Sequence, residues 1–153
     1  MARTRVRPKL EAAFWDTSAL VPLCLRQDET TRARQLSRQY GKIIVWWGTS
    51  VEAHSSLNRL LREGVINAQG LGHAIKRLDL LRKSWSEILP TEEMRELAEG
   101  MPQRYNLRAL DSLQLAAAFV WCNGRPQKRP FVCFNTRLSQ AATSAGFAVH
   151  PKP

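Results

Sequence analysis

Short apolar, β-branched or aromatic runs alternate with helical patterns along this chain, and that alternation is the strongest constraint on its fold. Ala12 to Trp15, Lys42 to Trp47, Glu87 to Pro90, Phe131 to Phe134 and Ala148 to His150 read as strands. Ser18 onward reads as a helix that Pro22 restricts to a start near Ala19 to Val21, and Asp28 to Tyr40 as a polar helix closed by Gly41. Further helices are expected from Gly48-Thr49 to Gly64, from Asn67 to Trp85, after a Thr91 cap, from Leu107 to Trp121, and from Thr136 to Ala145. Strands that alternate with helices imply a parallel sheet covered on both faces, with ligands bound at the carboxyl ends of the strands. Asp16 and Asn135 fall directly after two of the predicted strands, which places them at that edge.

Asp16, Glu52 and Asp111, three of the chain's 13 acidic residues, sit inside apolar stretches of a protein whose formal charge is +10. An uncompensated buried carboxylate is costly, so such groups are expected to be paired, hydrogen-bonded or metal-bound. If the fold brings them together, each raises the pKa of its neighbours unless a cation intervenes, and a hard divalent ion such as Mg²⁺ removes that conflict. Each acid also has a plainer explanation. Asp16 can cap the following helix; Thr49-Ser50-Val51-Glu52 fits a capping box; Asp111 can complement a helix dipole. Their conjunction favours metal-assisted chemistry on a polyanion.

Length and composition fit one globular domain, from about residue 12 to 150, after a flexible basic arm at 1–11 and before a tail at 151–153. Cys24, Cys122 and Cys133 have no disulfide or zinc spacing and read as buried free thiols in a reducing cytoplasm. Arg3, Arg5, Arg7 and Lys9 are not followed by the apolar core of a secretory signal, and the run from Ala12 to Leu25 is too short to span a bilayer. Twenty-three Lys plus Arg favour an acidic partner, with nucleic acid or an acidic protein ahead of a membrane. His54, His73 and His150 share no ligand spacing; Trp46 and Trp47 read as core in a strand before they read as a base-stacking platform.

Four segments in order resemble the PIN-domain ribonucleases, in particular the VapC-like toxins of type II toxin–antitoxin systems. Asp16-Thr17-Ser18-Ala19-Leu20 looks like the opening motif, and Thr49-Ser50-Val51-Glu52 like the second acidic site. The Leu107 to Ala118 segment, built around Asp111, is similar to the third and most distinctive motif. Phe131 to Leu138, followed by Ala141-Ala142, matches the fourth. The resemblance implies a three-layer α/β/α sandwich with a mainly parallel central sheet, and Mg²⁺ or Mn²⁺ held by Asp16, Glu52 and Asp111, directly or through water. It also implies cleavage of single-stranded RNA, a homodimer and silencing by an antitoxin. Thr17, Ser18 and Thr136 would support the site, and surrounding Lys and Arg would hold the RNA backbone.

The departure lies at Asn135, where the family usually carries an acid. No Asp or Glu follows Asp111, so nothing downstream replaces that charge. Asn offers a carbonyl oxygen that can bind a hard cation without contributing charge, which implies weaker metal affinity and lower activity. The rival reading is a non-catalytic PIN-like module that binds RNA or protein; against it stand three acids that a pure scaffold has little reason to keep together. A structure-specific DNA nuclease lacks obvious DNA-clamping elements here, and a phosphatase reading lacks a second acid at Asp-x-Asp spacing.

Overall fold

Alternating side chains along the strands decide the layering. In the first strand, β1 (Ala12–Trp15), Ala13 and Trp15 turn to one face and Phe14 to the other, each fully buried. The second strand, β2 (Lys42–Trp46), repeats the pattern: Ile43 and Val45 join the first face, while Ile44 and Trp46 join the second. Period-two burial on both faces is what a central strand of a doubly covered sheet requires. The computed structural model, which describes residues 10–152, meets that requirement with five strands, all parallel.

The remaining strands are β3 (Ser86–Ile88), β4 (Pro130–Val132) and β5 (Ala148–His150), and the sheet order is β3-β2-β1-β4-β5. Helices α1 (Thr17–Cys24), α2 (Thr30–Gln39), α3 (Thr49–Arg62) and α4 (Ala68–Ser84) cover the face of Trp15, Val45 and Val132. Helices α5 (Glu92–Tyr105), α6 (Ala109–Trp121) and α7 (Thr136–Ala145) cover the face of Phe14 and Phe131. The fold is therefore the three-layer α/β/α sandwich expected from the sequence.

The chain moves outward from β1 through β2 to β3, then returns to place β4 on the other side of β1. Order reversal of this kind leaves a crevice at the carboxyl ends of the two diverging strands. Here the crevice opens between the ends of β1 and β4, where the backbone N–H of Asp16 donates to the Val132 carbonyl at 2.9 Å.

Several boundaries differ from the sequence reading for identifiable reasons. Helix α1 begins at Thr17, not near Ala19, because the Asp16 carboxylate accepts the Ser18 N–H and the Asp16 carbonyl accepts the Ala19 N–H. Pro22 lies inside α1 and costs it one backbone hydrogen bond without moving its start. Strand β4 stops at Val132, so Asn135 lies beyond Cys133 and Phe134 and caps α7. Helix α6 starts at Ala109, leaving Leu107 and Arg108 outside it and Asp111 in its first turn. Thr91 caps α5 as expected, Asn67 caps α4 at the predicted start of that helix, and Gly146 ends α7 at φ 109°, a left-handed conformation that glycine tolerates. Arg3, Arg5, Arg7 and Lys9 lie outside the described residues, whereas Glu11 is already bonded to the α2–β2 turn through Gln39 and Lys42.

Leu115 is fully buried on α6 against the sheet. Leu115→Ala is expected to lower unfolding stability by about 2–5 kcal/mol, read from the urea midpoint at unchanged slope.

Candidate active site

Each of the three acids is placed by a different element. Asp16 is the cap of α1 at the end of β1, is 5% exposed, and accepts the Ser18 N–H at 3.0 Å. Glu52 stands in the first turn of α3, and Asp111 in the first turn of α6 on the opposite face of the sheet. All three line one cleft of about 500 Å³ at the crevice between β1 and β4, together with Thr17, Ser18, Arg59 and Asn135.

The capping-box reading of Glu52 fails on geometry. Its Oε1 accepts the Trp46 indole N–H at 3.1 Å, and its Oε2 accepts the Thr17 hydroxyl at 3.1 Å and the Gln114 amide at 3.3 Å. Gly48, not Thr49, is the residue preceding α3, and no side chain caps that helix. Asp16 does cap α1, and it also faces the cleft; capping and site duty coincide because the helix starts where the strand ends.

Ser18 ties the two sides of the crevice together. Its hydroxyl accepts the Phe134 N–H at 2.9 Å, while its own N–H goes to Asp16. The buried Cys133 thiol lies 3.7 Å from Asp16 Oδ2 and is pushed up to about 12 by burial, then by the Asp16 charge. At that value it is a neutral thiol, and all three cysteines are buried and free. Asn135 lines the cleft, but its Oδ1 is engaged by the Leu138 N–H at 3.0 Å. Thr136 is exposed and lines the adjoining groove with Arg104 and Arg137 instead of the cleft of acids.

Electrostatically the cleft is short of positive charge. Burial raises the Asp16 carboxyl above its ordinary value, its hydrogen bonds to Ser18 oppose the rise, and the Asp111 charge adds to it. Glu52 is raised by burial and then by the Asp16 charge, against the donors from Gln114, Trp46 and Thr17. Asp111 is raised by burial, with Arg137 and then Arg108 acting in the opposite direction. Among the described residues the ion pairs are Arg59–Glu63 and Arg95–Glu92, both exposed, so none involves these acids. Like charges sharing a cleft stay apart unless a cation lies between them, and among the described residues no three His, Cys, Asp or Glu side chains already stand as a metal-holding group. Hard carboxylate oxygens with no ion-paired Arg or Lys among the described residues are the donor chemistry that suits an oxygen-seeking divalent cation such as Mg²⁺ or Mn²⁺.

Sequence reasoning missed Gln114, Trp46 and Gly48 as neighbours of the site. Gln114 could have been flagged by the argument applied to the acids, since it is polar inside Leu113-Gln114-Leu115-Ala116-Ala117. Trp46 is buried while Trp47 is half exposed, and a buried indole N–H needs an acceptor. A Cβ on Gly48 would lie 2.5 Å from the Trp46 ring, so glycine is what lets the indole lie there. The histidines take ordinary roles: His54 Nδ1 lies 2.7 Å from the Ser50 carbonyl, and His150 pairs with the Tyr40 hydroxyl at 3.1 Å.

No protein-family model matches the sequence, and no curated protein matches it significantly. Solved structures share the fold. A chain of a toxin–antitoxin complex from Klebsiella pneumoniae is 18% identical over 82% of this chain and 88% of its own, with a TM-score of 0.60. The protein PAE2754 from Pyrobaculum aerophilum is 16% identical over 91% of this chain and 89% of its own, with a TM-score of 0.62. At that identity the likeness defines a shared architecture over most of the chain.

A carboxyl raised in the folded state contributes stability that is full below its unfolded value, 3.8 for Asp16, and lost as pH rises through its folded value. Asp16→Asn keeps the cap, because Asn and Asp cap about equally well. In chelator, the variant is expected to melt higher than the wild type at about pH 7 and to show a flatter fall in Tm from about pH 4 upward. Parallel melting curves would contradict this charge assignment.

Proposed function

We propose that this protein is a metal-dependent endoribonuclease of the PIN-domain type, acting as the VapC-like toxin of a type II toxin–antitoxin pair. The observation that carries the reading is the convergence of Asp16, Glu52 and Asp111, from three separate elements, in one cleft at the sheet's switch point without an ion-pairing cation among the described residues. Support also comes from the four sequence motifs that fall around this cleft, and from a fold shared with a chain of a toxin–antitoxin complex.

Asp16, Glu52 and Asp111 would hold the Mg²⁺ or Mn²⁺ ion, with Asn135 as a weaker donor. When bound, the ion supplies positive charge that lowers the pKa of water and offsets the charge developing on the scissile phosphate. Thr17 holds Glu52 and Ser18 holds Asp16, so the acids keep their orientation as the substrate enters. Arg59 at the cleft, and Arg104 with Arg137 in the adjoining groove, give the RNA backbone a basic track. The remaining elements of the reading are a homodimer in the cytoplasm and a cognate antitoxin that silences it. No helix among the described residues is long and apolar enough to cross a membrane.

The test is cleavage of a mixed single-stranded RNA panel with Mg²⁺ or Mn²⁺, beside EDTA and the variants Asp16→Ala and Asp111→Ala. Cutting is expected only with metal and should fall about 100-fold or more in each variant, the usual scale for removing one electrostatic contributor to a reaction. Binding without cutting, indifferent to metal and equal in the variants, would instead assign a non-catalytic RNA-binding module. Asn135→Asp keeps the α7 cap and adds a charge worth on the order of 1 kcal/mol near a surface ion, so Mg²⁺ should bind roughly fivefold tighter or more by calorimetry.

A further inference from the structure

Gln114 is fully buried on α6, and its side-chain nitrogen reaches three oxygens from two other helices. The distances are 3.1 Å to Thr17 Oγ1, 3.3 Å to Glu52 Oε2 and 3.4 Å to Thr49 Oγ1. Its carbonyl oxygen has no hydrogen-bond partner among the described residues.

The hydrogen-bond directions leave no choice of amide orientation. Glu52 as a carboxylate can only accept, and the single hydroxyl proton of Thr17 goes to Glu52 Oε2, so Thr17 has only lone pairs to offer Gln114. The NH₂ group must therefore face this cluster, and the orphaned carbonyl is the consequence. A buried acceptor without a partner is destabilising, and an apolar side chain of similar size would occupy the same volume without that penalty. A local arrangement that works against stability is most simply accounted for by a requirement of the site.

On the other side of the carboxylate, Trp46 Nε1 donates to Oε1 at 3.1 Å from an indole that lies over Gly48. Trp46, Thr17 and Gln114 thus fill three of the about four lone-pair directions of Glu52. Glu52 retains a single direction to present to the cleft.

We propose that Gln114 is a positioning residue: with Trp46 opposite, its buried amide locks the Glu52 carboxylate so that one lone-pair direction is left for the divalent cation. The inference rests on the metal-dependent reading given above. It places Gln114 outside contact with substrate, acting only through Glu52.

The test is direct Mn²⁺ binding, followed by electron paramagnetic resonance of the free ion, to the wild type, Gln114→Met and Trp46→Phe. Near-UV circular dichroism checks folding. Loss of a group that orients a metal ligand typically weakens binding about 10- to 100-fold, and that loss is expected for Gln114→Met, with a smaller one for Trp46→Phe. Leu115→Ala, one residue along the same helix, is the structural control: it should lower Tm while its folded state binds Mn²⁺ as the wild type does. Folded variants that bind Mn²⁺ with the wild-type dissociation constant would overturn the positioning role alone. A wild type that binds no Mn²⁺ would overturn it together with the metal-dependent reading. If Gln114→Met does not fold, Trp46→Phe decides the question from the other side of the same carboxylate.

Discussion

Buried and half-buried carboxylates without an ion-paired cation among the described residues govern the local structure of this protein. The desolvation that raises Asp16, Glu52 and Asp111 is the strongest influence on each of them. The fold answers it with neutral donors: a backbone N–H from the start of α1, the Thr17 hydroxyl, an indole and an amide. Neutral donors hold a carboxylate in place yet leave its charge uncompensated, whereas an Arg or Lys would balance it. The result is a cleft whose acids are held by neutral donors, set in a protein whose surplus charge is positive.

That contrast has a spatial order. Arg108 and Arg137 act on Asp111 from the exposed rim, and Arg137 continues into a groove with Arg104, whose guanidinium stacks on Tyr105 at 5.4 Å. A polyanion is thus attracted by the surroundings and repelled by the centre. On the proposed reading, productive approach of RNA would then depend on a cation at the centre.

The layered fold was legible because its signals are repetitive. The apolar runs Ala12–Trp15 and Lys42–Trp46 and the cap at Thr91 each state locally what the tertiary structure needs. Legibility failed where a boundary depends on a long-range partner. Strand β4 ends at Val132 because β1, its neighbour, ends at Trp15 and turns into α1, a fact that residues 131–134 do not contain. The acids were visible as polar residues in apolar surroundings, but whether Glu52 caps its helix or faces the cleft is decided by Trp46 and Gln114. The latter lies 62 positions away in the chain. Sequence spacing cannot report a choice made by an amide on another helix.

The pairing of β1 with β4 also fixes when a cleft can exist. Phe14 stands beside Phe131, and the Ser18 hydroxyl that steadies Asp16's turn waits for the N–H of Phe134, 116 residues later. Contacts this distant in sequence form late, since the intervening loop must be closed before they bring any gain. A chain emerging from the ribosome carries Asp16 and Glu52 long before it carries their frame. The cleft is thus framed only once the chain through Phe134 has been made, a delay written into strand order.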